Sequence, residues 1–161
     1  MNKRGHVLNA VLLAIGIGYI FQPTGDAETF VMIAEISVPL ILGALFPDVD
    51  TVFGKHRKTL HNLPVLAIFL AYPIYFGNLH WVWLGVLTHF VLDLLGTTRG
   101  VALFYPVWDR EFGVPIGVPV ESRYAEPVTL AVTAIELAVV ALLVYEVPQQ
   151  LATGALAAIG F

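Results

Sequence analysis

The chain contains no cysteine. That absence excludes disulfides, thiolate metal ligands, iron–sulfur clusters and cysteine nucleophiles. Any metal must therefore be held by histidine, aspartate or glutamate. Charge is scarce too: charged residues make up 12% of the 161 positions and hydrophobic ones 58%, with a mean hydropathy of +0.81. A soluble domain does not have that balance. Eight Lys and Arg against twelve Asp and Glu give a net charge of −4, so there is no basic surface for nucleic acid. No A-x-A-like cleavage site follows the first apolar stretch, which is expected to stay as a first helix.

What remains is apolar sequence in long runs. They fall at about residues 6–21, 30–46, 63–76, 79–95 and 128–147, each bounded by polar or Gly/Pro-rich sequence. The expected fold is all-α: one membrane-embedded domain over residues 1–161, a polytopic bundle of about five transmembrane helices. The third run, LPVLAIFLAYPIYF, is short for a hydrocarbon core of about 30 Å, and only Gly77 and Asn78 separate it from the fourth. These two runs predict a tight helical hairpin. Asn62 is placed to cap its first helix, with Pro64 in the first turn and Pro73 as a kink site. Gly16, Gly18, Gly43 and Gly85 read as close-packing points between helices.

Cations are confined to three segments: Lys3 and Arg4; Lys55, Arg57 and Lys58; and Arg99, Arg110 and Arg123. With five spans these all lie on one side, which the positive-inside rule makes cytoplasmic. The chain is thus expected to be a multi-pass protein of the inner (plasma) membrane, with its N-terminus in the cytoplasm.

On this topology His6 begins the first helix, and Asp48 and Asp50 follow the second. His56 and His61 lie in the loop beyond, and His89 and Asp93 sit one turn apart near the cytoplasmic end of the fourth helix. His80, beside Trp81 and Trp83, belongs to the outer aromatic belt. Taken singly, each group has a plain structural reading as a helix end, a juxtamembrane loop or a polar pair. Together they reach one depth on one side, and convergent intramembrane ionisable groups are functional by default. Imidazole and carboxylate without thiolate suit zinc, manganese or iron. His6, Asp48, Asp50, His56, His61, His89 and Asp93 are the candidate ligands, more than one tetrahedral ion needs, so two or three ions are expected. The chemistry suggested is hydrolysis of an ester by metal-activated water, with Asp50 as an alternative general base. Lys55, Arg57, Lys58 and Arg99 would supply charge for a phosphate, with Arg57 and Arg99 as the catalytic candidates.

The segments FPDVD, HRKTLH and HFVLD resemble those of the membrane-bound metal-dependent hydrolase family, the YdjM-like, LexA-regulated inner-membrane proteins. That family has an N-terminal histidine, then Pro-Asp-x-Asp, His-Arg-x-x-x-His and His-x-x-x-Asp. These match His6, Asp48 with Asp50, His56 with His61, and His89 with Asp93. Asp109 and Arg110 in YPVWDREFG match a Pro-x-x-Asp-Arg pattern that often follows, so the resemblance covers about residues 1–115. The ligand order is also similar, more weakly, to the zinc-dependent phospholipase C superfamily, whose helical members hold three zinc ions. The second resemblance implies phosphodiester or phosphomonoester hydrolysis, and the expected activity is hydrolysis of a lipid or lipid-linked phosphoester at the cytoplasmic membrane face.

The rival expectation is a metal-ion or proton transporter, or a metal-stabilised protein without catalysis. Glu35 and Glu136, within the second and fifth helices, favour it. The Gly-, Pro- and aromatic-rich segment 96–126 is expected to form a lid or a substrate wall, with Leu103, Phe104, Tyr105 and Trp108 at the membrane interface. Oligomeric state is left open, and the tail LATGALAAIGF has no functional reading.

Overall fold

A computed structural model describes residues 1–150, so the apolar tail lies outside the described residues. The described residues form α1 (Lys3–Phe21), α2 (Ala27–Leu45), a 3₁₀ turn (Pro47–Val49), the one-turn α3 (Asp50–Phe53), the hairpin α4 (Leu63–Phe76) and α5 (Val82–Gly96), and α6 (Ala125–Val144). This is an all-helical membrane bundle.

The helix ends follow from local chemistry. The Asn2 side chain accepts from Gly5 N–H at 2.8 Å to start α1, and Asp26 accepts from Glu28 and Thr29 N–H to start α2. Pro47 has no N–H to continue the α2 ladder, so the chain tightens into the 3₁₀ turn and swings Asp48 and Asp50 inward. Asn62 Oδ1 accepts from Val65 N–H at 3.0 Å, the cap expected from the sequence. Gly77, with φ 66°, ends α4 in the left-handed conformation.

At 1.5 Å per residue, α1 and α2 (19 residues each) and α6 (20 residues) are about 28–30 Å long, and each can cross a membrane. The hairpin helices are shorter, 14 and 15 residues, or about 21–23 Å. Both hairpin ends lie at one face, because Leu63 N–H donates to Leu103 C=O, 2.8 Å away in the segment after α5. The 54–62 and 97–124 segments therefore share that face.

Ala10, Leu13, Ala14 and Ile17 form one stripe of α1, which packs on Ile36, Leu40 and Ala44 of α2. On its other side α2 meets α5 where Gly43 faces Gly85. A Cβ on Gly43 would come 2.0 Å from Val82 O, and one on Gly85 would come 2.1 Å from Leu40 O. Hydrogen there lets two backbones touch. Gly16 and Gly18 instead make room for side chains, those of Leu137 and Ile33. The outer faces carry apolar side chains such as Phe30, Val38, Ile74 and Leu142, and α4 buries none of its residues. Such faces suit lipid rather than water.

The 97–124 segment is folded on itself: Val101 and Phe112 exchange backbone hydrogen bonds at 2.7 and 2.8 Å. Gly100 lies flat against the Phe112 carbonyl, where a Cβ would come to 2.2 Å. Ala102 N–H donates to Arg57 C=O at 3.1 Å, stitching this segment to the histidine loop.

Candidate metal centre

Four of the five histidines and three aspartates converge where α1 begins, α2 ends and α5 ends. His6, His61, His89, Asp50 and Asp93 are essentially inaccessible, Asp48 is buried, and His56 is at the rim, half-exposed. Their donor atoms form two groups, His6–His89–Asp93 and Asp48–His56–His61, the atoms of each lying within 4.8 Å of one another.

The groups meet at His61 and His89, whose Nε2 atoms are 3.0 Å apart. Their tautomers follow from their other nitrogens. His89 Nδ1 donates to Ala44 C=O at 2.6 Å, and His61 Nδ1 donates to Asp50 Oδ2 at 3.0 Å. With both Nδ1 atoms protonated, the two Nε2 atoms face each other as lone pairs, and no proton stands between them. Burial pushes the His61 imidazole below its ordinary range, against the pull of Asp50 and Asp93. A lone pair aimed at a lone pair in a dry site is repulsive unless a cation lies between.

Carboxylate oxygens surround that point. Asp48 Oδ1 is 3.9 Å from His61 Nε2 and 3.8 Å from His89 Nε2, and Asp93 Oδ2 is 3.8 Å from both. Ligands of one tetrahedral ion, at about 2.0–2.1 Å from it, lie about 3.3–3.4 Å from each other. These separations bracket that value, so a small contraction converts the cluster into a coordination shell. Asp93 Oδ2 and both ring nitrogens of His6 are buried without a hydrogen-bond partner, as donor atoms awaiting a cation would be. His6 stacks on His89 with ring centroids 3.7 Å apart, and its Nε2 is 3.5 Å from Asp93 Oδ1. The buried His and Asp groups can therefore hold a metal ion.

Asp50 behaves differently from the other two aspartates. Its Oδ1 accepts from His56 Nδ1 at 3.0 Å, and its Oδ2 accepts from His61 Nδ1 and from Leu60 N–H at 3.3 Å. Both oxygens are thereby committed to orienting two imidazoles, the carboxylate–histidine arrangement that fixes ligand tautomers around metals. Arg57 is buried with φ 68°, in the left-handed region. Its guanidinium donates to Thr97 Oγ1 at 2.9 Å and to Arg99 C=O, and lies 3.7 Å from Asp93 Oδ1. The Met1 amino group also donates to Asp93 Oδ1. Arg99 is turned outward in a bidentate pair with Glu111, at 3.0 and 2.7 Å. That pairing folds the 97–124 segment on itself, and Lys58 Nζ, 2.8 Å from Asp109 and 3.9 Å from Glu111, clasps the segment to the site's rim.

Several participants carry no sequence signal. Ala44 and Leu60 act through the backbone, and Thr97 is one threonine of a loop. Only the chain's path could reveal them.

The fold and cluster define a class: a helical membrane protein with a buried histidine–aspartate centre able to hold metal. The chain belongs to the YdjM inner membrane protein family, whose model matches residues 1–159 and so includes the last helix that the sequence motifs left unassigned. No curated protein and no solved structure matches it.

Proposed function

We propose that this protein is a metal-dependent hydrolase set at the cytoplasmic face of the membrane, cleaving a phosphoester on a lipid or lipid-linked substrate. The observation that carries the reading is the pair of lone-pair nitrogens, His61 Nε2 and His89 Nε2, 3.0 Å apart and flanked by Asp48 and Asp93. A divalent ion held by these four residues, zinc by its donor set with manganese or iron next, supplies Lewis acidity toward a phosphoryl oxygen and a water nucleophile. His6 and His56 extend the donor set on either side and make room for a second ion.

The chain's own residues do the rest. Asp50 holds His61 in its ligating tautomer and turns His56 so that its other nitrogen can give or take a proton at the rim. Arg57 sets its positive charge beside Asp93 and limits the negative charge a phosphate meets. Around the same face Val52, Phe53, Val107 and Trp108 are exposed and apolar. They suit the level of lipid headgroups, so an ester can reach the centre while its chains stay in the bilayer. Confinement of all eight Lys and Arg to three segments supports a cytoplasmic site. Transport gains no matching support: Glu35 is on the exposed side of α2, while Glu136 is bonded within a different helix interface.

The test is release of phosphate or headgroup from phospholipids and lipid phosphates by protein reconstituted with zinc or manganese. Activity is expected in wild type and in Glu35→Gln and absent in His89→Ala. A metal-loaded wild type inert across the panel would overturn the reading.

A further inference from the structure

A second polar cluster, buried at Asn9, Thr88 and Thr133 and half-buried at Glu136, lies between α1, α5 and α6 and shares no residue with the metal centre. Asn9 Nδ2 contacts Thr133 Oγ1 at 2.9 Å and Glu136 Oε2 at 2.8 Å. Thr88 Oγ1 contacts Asn9 Oδ1 at 2.7 Å and Glu136 Oε1 at 2.6 Å. Thr133 Oγ1 in turn donates to Thr129 C=O at 2.8 Å. A count of protons decides the state of this cluster. The two amide hydrogens of Asn9 serve Glu136 Oε2 and Thr133, so Asn9 Oδ1 can only accept. Thr88 has one hydroxyl hydrogen but two short oxygen contacts. With a carboxylate at Glu136, one of those contacts would press two acceptors together at 2.6–2.7 Å with no proton between them.

We propose that Glu136 is a neutral carboxylic acid whose proton closes a hydrogen-bonded ring, Glu136 to Thr88 to Asn9 and back to Glu136, clamping α1, α5 and α6 together. In that state every donor has one acceptor and every short contact has its proton. The surroundings agree. From α1 the ring meets Asn9 and Leu13, from α5 Thr88, Leu84 and Val91, and on α6 Thr133, none of them charged or titratable. The crevice of about 260 Å³ beside Glu136 is walled by aliphatic side chains and offers an ionised carboxylate no solvation.

The clamp has a consequence at the metal centre. Asn9 is one turn beyond His6 on α1, and Thr88 directly precedes His89 on α5. The ring therefore fixes the register of the two helices whose histidines stack at 3.7 Å. Glu136 is a positioning residue acting through Asn9 and Thr88, and its role does not depend on what reaction the centre performs.

Infrared spectra of lipid-reconstituted protein, at neutral and at alkaline pH, test the proton. A protonated-carboxyl carbonyl band is expected in wild type at both pH values, lost in Glu136→Gln and moved to higher frequency in Thr88→Val but not in Thr88→Ser. Loss of a carboxylate band instead in Glu136→Gln, or a band indifferent to Thr88→Val, would overturn the proposal. The Thr88 pair keeps the test open if Glu136→Gln does not fold. Side-chain NMR of labelled histidines in metal-free protein reads the positioning role. The His6 and His89 ring-current shifts are expected to be preserved in Glu136→Gln, which keeps a donor and an acceptor, and displaced in Thr88→Val. Unmoved histidine signals in Thr88→Val would refute the clamp. Neither readout uses catalysis, so failure of the hydrolase reading leaves this one standing.

Discussion

Replacing Asp50 by asparagine separates an orienting carboxylate from a ligating one. The wild-type side chain is fully buried and offers one oxygen to His56 Nδ1, the other to His61 Nδ1 and Leu60 N–H. Asparagine keeps one accepting oxygen and gains two N–H donors. That oxygen goes to the side where two donors wait, His61 and Leu60, so His61 keeps its proton on Nδ1 and its lone pair toward His89. The amide nitrogen then faces His56, which must present a lone pair at Nδ1 and carry its proton on Nε2. Metal affinity is therefore expected to fall by about 10- to 100-fold, the usual effect of losing such a supporting group, or about 1.4–2.7 kcal/mol. His61→Ala, which removes a donor outright, should abolish tight binding. Under the proposed hydrolase function, turnover in Asp50→Asn should fall further than affinity, because the proton on His56 has changed nitrogen. The assay is titration of purified protein with zinc against a competing chelator, for wild type and both variants. Wild-type affinity in Asp50→Asn, or a loss as complete as in His61→Ala, would refute the assignment.

Gly85→Ala puts a methyl 2.1 Å from Leu40 O, with only backbone in its way, and should cost about 1–3 kcal/mol. It should lower the thermal midpoint in detergent and weaken metal retention, because Ala44, whose backbone N lies in the same contact, orients His89 through its carbonyl. An unchanged midpoint would contradict the backbone contact. Arg57→Ala removes one partner from a buried ion pair and releases Thr97 and the Arg99 carbonyl, a loss of about 3–5 kcal/mol. Lysine, which cannot make the same fork, should rescue only part of the thermal stability. The rim clasp should respond to acid. The Arg99 guanidinium holds Glu111 below its usual carboxylate range, and Lys58 does the same for Asp109. A depressed folded value means the clasp's contribution is complete above the ordinary carboxylate pKa and disappears as pH falls through the lower folded value. Trp108 fluorescence, with Trp108→Phe as the control, should therefore change only below about pH 4, and Glu111→Gln should diminish that change. A transition near neutrality would contradict the sign.

Much of this was legible in the sequence because single residues carried it. The Asn62 cap, the Gly77 turn, the Gly43 and Gly85 contacts and the convergence of four histidines on one face depend on local pattern and chain order. The rest depends on partners that no pattern marks. Asp50 reads as a ligand in Pro-Asp-x-Asp, and only the distances to His56, His61 and Leu60 show that its oxygens are committed elsewhere. Arg99 reads as a free cation until Glu111, twelve residues on, folds back against it. Asn9, Thr88, Thr133 and Glu136 stand singly in three apolar helices, and their ring exists only once α1, α5 and α6 are packed. The hairpin's shortness was visible for α4. For α5, the apolar run from residue 79 hid a left-handed turn at Leu79 that delays the helix to Val82.

The most direct test of the central claim is metal content, measured by mass spectrometry on detergent-purified protein beside a His61→Ala, His89→Ala double variant. The geometry predicts at least one equivalent of a transition metal in wild type, and none in the variant. Wild-type protein without metal, even after reconstitution with zinc or manganese, would contradict the metal centre and leave the facing imidazoles without an explanation.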